Sequence, residues 1–153
     1  MKRTAGLGRL VPVACCVLAI CGGQAVAQRF DRTDPIAVAT ASLEAYQARD
    51  LDALMPLVSS FNRSLIQELA VKGESHPRYG SLFSGWRWRA VEAWSGFIGE
   101  VRYRRRSAMV EFGTVGDAEV AVVALEWEDG GWSFEDVNSP STADFRAMPT
   151  TRP

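Results

Sequence analysis

The residues best suited to acid–base chemistry lie at the end of one hairpin. In Trp132-Ser133-Phe134-Glu135-Asp136-Val137-Asn138, strand alternation puts Trp132, Phe134, Asp136 and Asn138 on one face. If the two rings face the core, Asp136 is a carboxylate pointing at the floor of an apolar pocket. Such a group has a raised pKa and can act as a general base or a protonated donor. Tyr46, Tyr79 and Tyr103 are the available phenols, and no motif ties one of them to that role. The pocket candidates are Tyr46, Trp94, Tyr103, Trp132, Phe134 and Asp136. The competing reading, which we prefer, has Asp136 at the frayed strand end, capping it or pairing with an arginine.

Little else assembles into a reaction. His76 is the sole histidine and stands in the polar loop Gly73-Glu74-Ser75-His76-Pro77, where solvation is the expected state. All three cysteines, Cys15, Cys16 and Cys21, precede residue 28. One histidine and no later cysteine leave no set of ligands for zinc, iron–sulfur or another transition metal. There is no phosphate loop and no nucleophile elbow. No cofactor is expected.

Arginine and aromatic residues interleave in Trp86-Arg87-Trp88-Arg89 and Arg102-Tyr103-Arg104-Arg105-Arg106. From Trp86 to Arg106 six arginines face only Glu92 and Glu100, so this segment is net +4. Arg87, Arg89, Arg102 and Arg104 are candidates for an anionic partner such as an envelope polymer, a lipid headgroup or an acidic protein face. The alternative is a half-exposed strand, with Arg102, Arg104 and Arg106 on the wet face and cross-strand partners such as Glu111.

The elements that must hold these residues are legible in the pattern. Asp34-Pro35 is a helix start, with Asp as cap and Pro in the first turn. Ile36, Ala39, Leu43 and Tyr46 follow at helical spacing. A second helix starts at Asp50 and is cut short or kinked by Pro56. A third opens at Ser60, with Phe61, Leu65, Ile66 and Leu69 as its buried side. Part of Tyr79 to Ser95 is read as helix. The period then becomes two, predicting strands over Phe97–Arg105, Ser107–Thr114, Glu119–Glu128 and Trp132–Asn138. Short connections make neighbours antiparallel. The class is α+β, with N-terminal helices packed on a curved antiparallel sheet of about four strands.

The first 27 residues read as a secretory signal peptide. Lys2, Arg3 and Arg9 precede an uncharged stretch from Leu10 to Ile20, and Ala25-Val26-Ala27 places the cut between Ala27 and Gln28. Leu18-Ala19-Ile20-Cys21 has the outline of a lipid-attachment box, but Ile20 stands where a small residue is wanted. The expectation is therefore a periplasmic or secreted protein rather than a lipoprotein through Cys21, with no membrane span. Without the three leader cations, 14 basic residues stand against 18 acidic ones, a net charge of −4 that disfavours nucleic acid as a partner. Residues 28–33 and the Pro- and Thr-containing tail of 143–153 are expected to be flexible, with one domain over 34–142.

Two stretches resemble the nuclear transport factor 2-like superfamily, also called cystatin-like or SnoaL-like. They are the opening helix running to Ala48-Arg49-Asp50-Leu51-Asp52-Ala53-Leu54, and the closing Leu125-Glu126-Trp127-Glu128-Asp129-Gly130-Gly131-Trp132-Ser133-Phe134. The resemblance implies a cone: a bent sheet wrapped on helices, with a pocket between them and dimers through the open sheet face. Members include isomerases, dehydratases, cyclases and noncatalytic binding or scaffolding domains, and fold does not choose among these. The expected function is an exported binding or protein-interaction domain, noncatalytic, for a small apolar ligand or an envelope protein. The alternatives are a small isomerase, dehydratase or cyclase using Asp136 on an apolar substrate, and a scaffolding subunit of an envelope complex.

Overall fold

The computed structural model describes residues 31–152. The expected leader, its expected cleavage point at Ala27 and Gln28, and Cys21 lie outside the described residues. The architecture is α+β: five helices, a four-stranded antiparallel sheet in the order β1-β2-β3-β4, and a sixth helix.

Helix α1 spans Pro35–Gln47, and the Asp34 carboxylate caps it by accepting from the Ile36 N–H. Arg49 takes a φ of 57° just past its end, in the left-handed region. Asp50 then caps the single-turn α2, Leu51–Leu54, through the Ala53 N–H. Helix α3 runs over Ser60–Lys72 and buries Ile66 and Leu69. Phe61, expected on that buried side, is 83% exposed: the first turn of α3 meets the sheet through Ser60 and Asn62, and the Phe61 ring is turned away from that contact. A 3₁₀ turn at Gly73–Ser75 leads to α4, Tyr79–Leu82, and α5, Gly85–Glu92.

The strands are β1 Val101–Arg104, β2 Ser107–Val115, β3 Glu119–Glu128 and β4 Gly131–Asn138. Strand β1 is shorter than predicted. The Gly99 N–H still donates to the Glu111 carbonyl at 2.8 Å. The β3–β4 turn places Asp129 and Gly130 at φ of 50° and 77°. Positive φ at both central residues is the two-residue hairpin geometry that follows the sheet's twist. Gly131 is glycine for a different reason: a Cβ there would lie 2.7 Å from that of Arg32, which packs against the strand.

A β-bulge breaks the β3–β4 register, with Ala124 opposite Asp136 but Leu125 opposite Phe134. Glu135 is the inserted residue. It resets the alternation, so Val137, at 1% exposure, takes the core row with Trp132 and Phe134. Asp136 therefore does not keep the phase that simple alternation predicts.

The main core lies between helices and sheet. Val38 and Leu43 of α1 join Val110, Val123, Leu125 and Val137 of the sheet. The Tyr46 ring packs tilted or edge-on against those of Phe83, Trp88 and Phe134, at centroid distances of 5.7, 5.8 and 6.4 Å. The space between α1 and the sheet is thus filled by side chains.

The opposite sheet face is not open along its whole length. Helix α6, Thr142–Ala147, folds back onto it, where the sequence predicts a flexible tail. Phe145 is fully buried with Val120 and Val122, flanked by Met109 and Met148. Arg146 pairs with Glu100 and Glu111 at 2.8 and 3.1 Å. The face expected to mediate a homodimer is therefore partly covered by the chain's own C-terminal helix. At the other end, Arg32 is tied to β4 rather than loose. Its carbonyl accepts from the Trp132 N–H at 2.7 Å, and its guanidinium reaches the Ser133 hydroxyl at 2.6 Å.

Both sheet edges are occupied. On β4, Leu57 and Ser59 bond the Phe134 backbone, Asn62 donates to the Glu135 carbonyl, and Arg87 Nε donates to the Val137 carbonyl. On β1, the Tyr103 N–H donates to the Pro149 carbonyl at 2.8 Å.

Candidate functional site

A groove of about 550 Å³ opens between α3, the α4–α5 segment and β4. Its buried lining is Tyr46, Val58, Ile66, Leu69 and Phe134, and Phe61, Arg78 and Arg87 are exposed along it. Helix α3 supplies one apolar wall because its inward stripe repeats at helical spacing. The β4 wall exists because the bulge at Glu135 leaves that strand irregular, and Glu135 and Asp136 both line the groove.

Asp136 is not a desolvated acid. Its side chain is 47% exposed and stands 3.3 Å from the Arg87 guanidinium. One carboxylate oxygen also accepts from the Val137 N–H at 2.8 Å. Tyr46 is buried, and its hydroxyl donates to the Leu82 carbonyl. Its pKa is pushed up to about 12, first by burial and then by the Asp136 charge, with Arg87 opposing. Its proton is thus firmly held and directed at the backbone. Glu135 also has a raised pKa, through burial first and then the charges of Glu126, Asp136 and Glu128.

The pocket candidates divide in two. Tyr46, Phe134 and Asp136 meet at the groove. Trp94 does not line it, and its indole N–H donates to the Phe97 carbonyl at 2.7 Å. Trp132 packs instead against Tyr103 and Trp127, at centroid distances of 6.0 and 5.1 Å.

The four candidate arginines do not form one cationic face. Arg87 is spent on Asp136 and Val137. Arg89 and Arg104 are exposed on α5 and β1. Arg102 has a side chain only 13% exposed, pairs with Glu100 and donates to the Met148 carbonyl at 3.0 Å. Glu111 takes its cation from Arg146 on α6 rather than from β1. Gly99 permits the close approach of Glu111, since a Cβ there would lie 2.6 Å from a Glu111 carboxylate oxygen.

His76 is tucked in rather than solvated, with a side chain 9% exposed and Nε2 at 3.6 Å from Glu68. Its Nδ1 accepts from the Arg78 N–H at 3.1 Å. Among the described residues no group of three or more His, Cys, Asp or Glu is arranged to hold a metal ion, and no helix is long and apolar enough to cross a membrane.

Sequence reasoning missed Phe61, Asn62 and Arg78 as groove residues. The available signal was local: Phe61 is a lone aromatic among Ser60, Asn62, Arg63 and Ser64. No family model, no curated protein and no solved structure matches this chain.

Proposed function

We propose that this domain is an exported, noncatalytic binding or protein-interaction module of nuclear transport factor 2-like type, and that the groove between α3, α5 and β4 seats a small apolar ligand. The observation that carries the reading is the groove's make-up. A buried apolar lining ends at Phe61, a large ring 83% exposed that none of the described residues covers. Exposed apolar surface beside a concavity is characteristic of binding sites. The resemblance of both chain ends to that superfamily, the placement of the helices before an antiparallel sheet, and the leader pattern agree with it.

Two features favour binding over acid–base catalysis. The half-exposed Asp136 is ion-paired with Arg87, so its carboxylate is engaged by a cation of this chain rather than enclosed with a substrate. An oxyanion donor must aim its proton at the substrate, and Tyr46 aims its proton at Leu82.

The test uses N-phenyl-1-naphthylamine, a neutral apolar fluorophore. Wild type is expected to enhance its emission saturably, and Ile66→Asp and Phe61→Ser to weaken that binding. Asp136→Ala is expected to alter affinity or stability without abolishing any turnover. A reaction found in the wild type and lost in Asp136→Ala sinks the proposal, as does saturable binding that Ile66→Asp leaves intact.

A further inference from the structure

The last four described residues carry a second recognition feature, away from the groove. Arg152 sets its guanidinium carbon 3.8 Å from the Trp127 ring centroid and 5.2 Å from that of Trp132. The two indoles meet edge to face at 78°, and Tyr103 adjoins Trp132. Among the described residues no carboxylate lies in ion-pair range of Arg152, and the groups its guanidinium meets there are the two aromatic faces. Such faces attract weakly hydrated cations through the ring quadrupole. Three residues upstream, the Pro149 carbonyl accepts from the Tyr103 N–H, on the outer edge of β1. The tail therefore docks through two contacts, one backbone bond to a sheet edge and one arginine on an indole pair, with the chain bending at Thr150 and Thr151 between them.

This segment is loosely invested. Pro149, Thr150, Thr151 and Arg152 are all exposed, and the last buried anchor is Phe145. Its occupancy depends on tethering, which gives a weak contact a high effective concentration. The geometry points to a peptide-binding surface: the β1 edge with Trp127 and Trp132 receives an arginine-bearing segment of a partner, and residues 149–152 occupy it in cis. One backbone bond to the sheet edge fixes where the segment lies, and the indole pair selects the guanidinium. The tail sets a threshold that a partner must exceed.

The test uses the full chain with Arg152→Ala, which removes the cis cation. The probe is the amidated peptide Met-Pro-Thr-Thr-Arg, with a second peptide carrying citrulline, the neutral isostere of arginine, in the last place. Binding is read from the Trp127 indole N–H resonance. The arginine peptide is expected to shift it saturably, at least about fivefold more tightly in Arg152→Ala than in wild type. The citrulline peptide is expected to be markedly weaker, and Trp127→Leu to abolish the arginine preference. Equal binding of the two peptides, or no saturable shift with Arg152→Ala, overturns the proposal. If Trp127→Leu does not fold, nuclear Overhauser contacts between the peptide guanidinium and the Trp127 ring decide the same point, and their absence counts against it. Groove binding of the naphthylamine is unaffected in either case.

Discussion

Glu128, the last residue of β3, accepts from both the backbone N–H and the hydroxyl of Ser60, each at 2.8 Å. A strand thereby caps a helix 68 residues earlier in the chain. Ser59, in the usual capping position, makes no side-chain cap bond, and its hydroxyl is buried without a partner. The first amides of α3 need an acceptor, and a carboxylate at a helix N-terminus also suits the helix dipole. This contact fixes the α3 wall of the groove against the sheet.

Glu128→Ala is expected to lower stability by about 1 kcal/mol, the usual scale for loss of a cap. Burial acts to raise the Glu128 pKa, but the bonds from Ser60 and the influence of Ser133 and Arg63 outweigh it, leaving the value below 4.5. A lowered folded-state pKa means that this contribution is complete above 4.5 and fades as pH falls through the folded value. Urea melts at pH 7 and pH 3 should show a large gap between wild type and Glu128→Ala at the first and a smaller one at the second.

Glu135→Gln is expected to act in the opposite sense. The folded-state pKa of Glu135 is raised above 4.5 by burial and by neighbouring acids. The folded protein then binds the proton more tightly than the unfolded chain, so stability falls as pH rises from 4.5 through the folded value. Removing the charge should raise Tm at pH 7 and change it little at pH 4. A Tm at pH 7 no higher than wild type would refute this.

Phe145→Ala should release α6. The ring is fully buried, and truncations of this kind cost about 3 kcal/mol or more. Amide exchange should accelerate at Val120, whose N–H donates to the Pro140 carbonyl at 3.1 Å, while the α1 amides keep their protection.

Phe61→Ser should separate binding from stability. A ring exposed to 83% contributes little to the core, so Tm should hold to within about 0.5 kcal/mol of stability. Affinity for an apolar probe should drop.

Much of the fold was legible because its signals are local. Asp34-Pro35, Asp50 and Ser60 mark helix starts, and Asp129-Gly130 marks a hairpin turn with positive φ. The departures are non-local. A bulge at Glu135 adds one residue to β4, and strict alternation cannot anticipate an insertion, so Asp136 was assigned the row that Val137 holds. Helix α6 was hidden because its one large apolar residue, Phe145, finds its partners, Val120 and Val122, on a distant strand. Phe61 keeps helical spacing with Leu65 and Leu69, yet spacing does not reveal that the first turn meets the sheet through Ser60 and Asn62 instead. Of the site, Tyr46, Phe134 and Asp136 were legible, and the wall that Asn62 and Arg78 complete was not.

The sealed edges of the sheet bear on how this protein ages. Strand β4 is closed by four separate parts of the fold, whereas the β1 edge is shielded at Tyr103 by the exposed segment around Pro149. An unpaired strand edge is a template for further strands. Proteolytic trimming near Met148 would leave the main core intact and convert a self-contained sheet into a seed for growth at one end. Cleaved molecules should therefore form fibres well before intact ones, with β1 at the growing face.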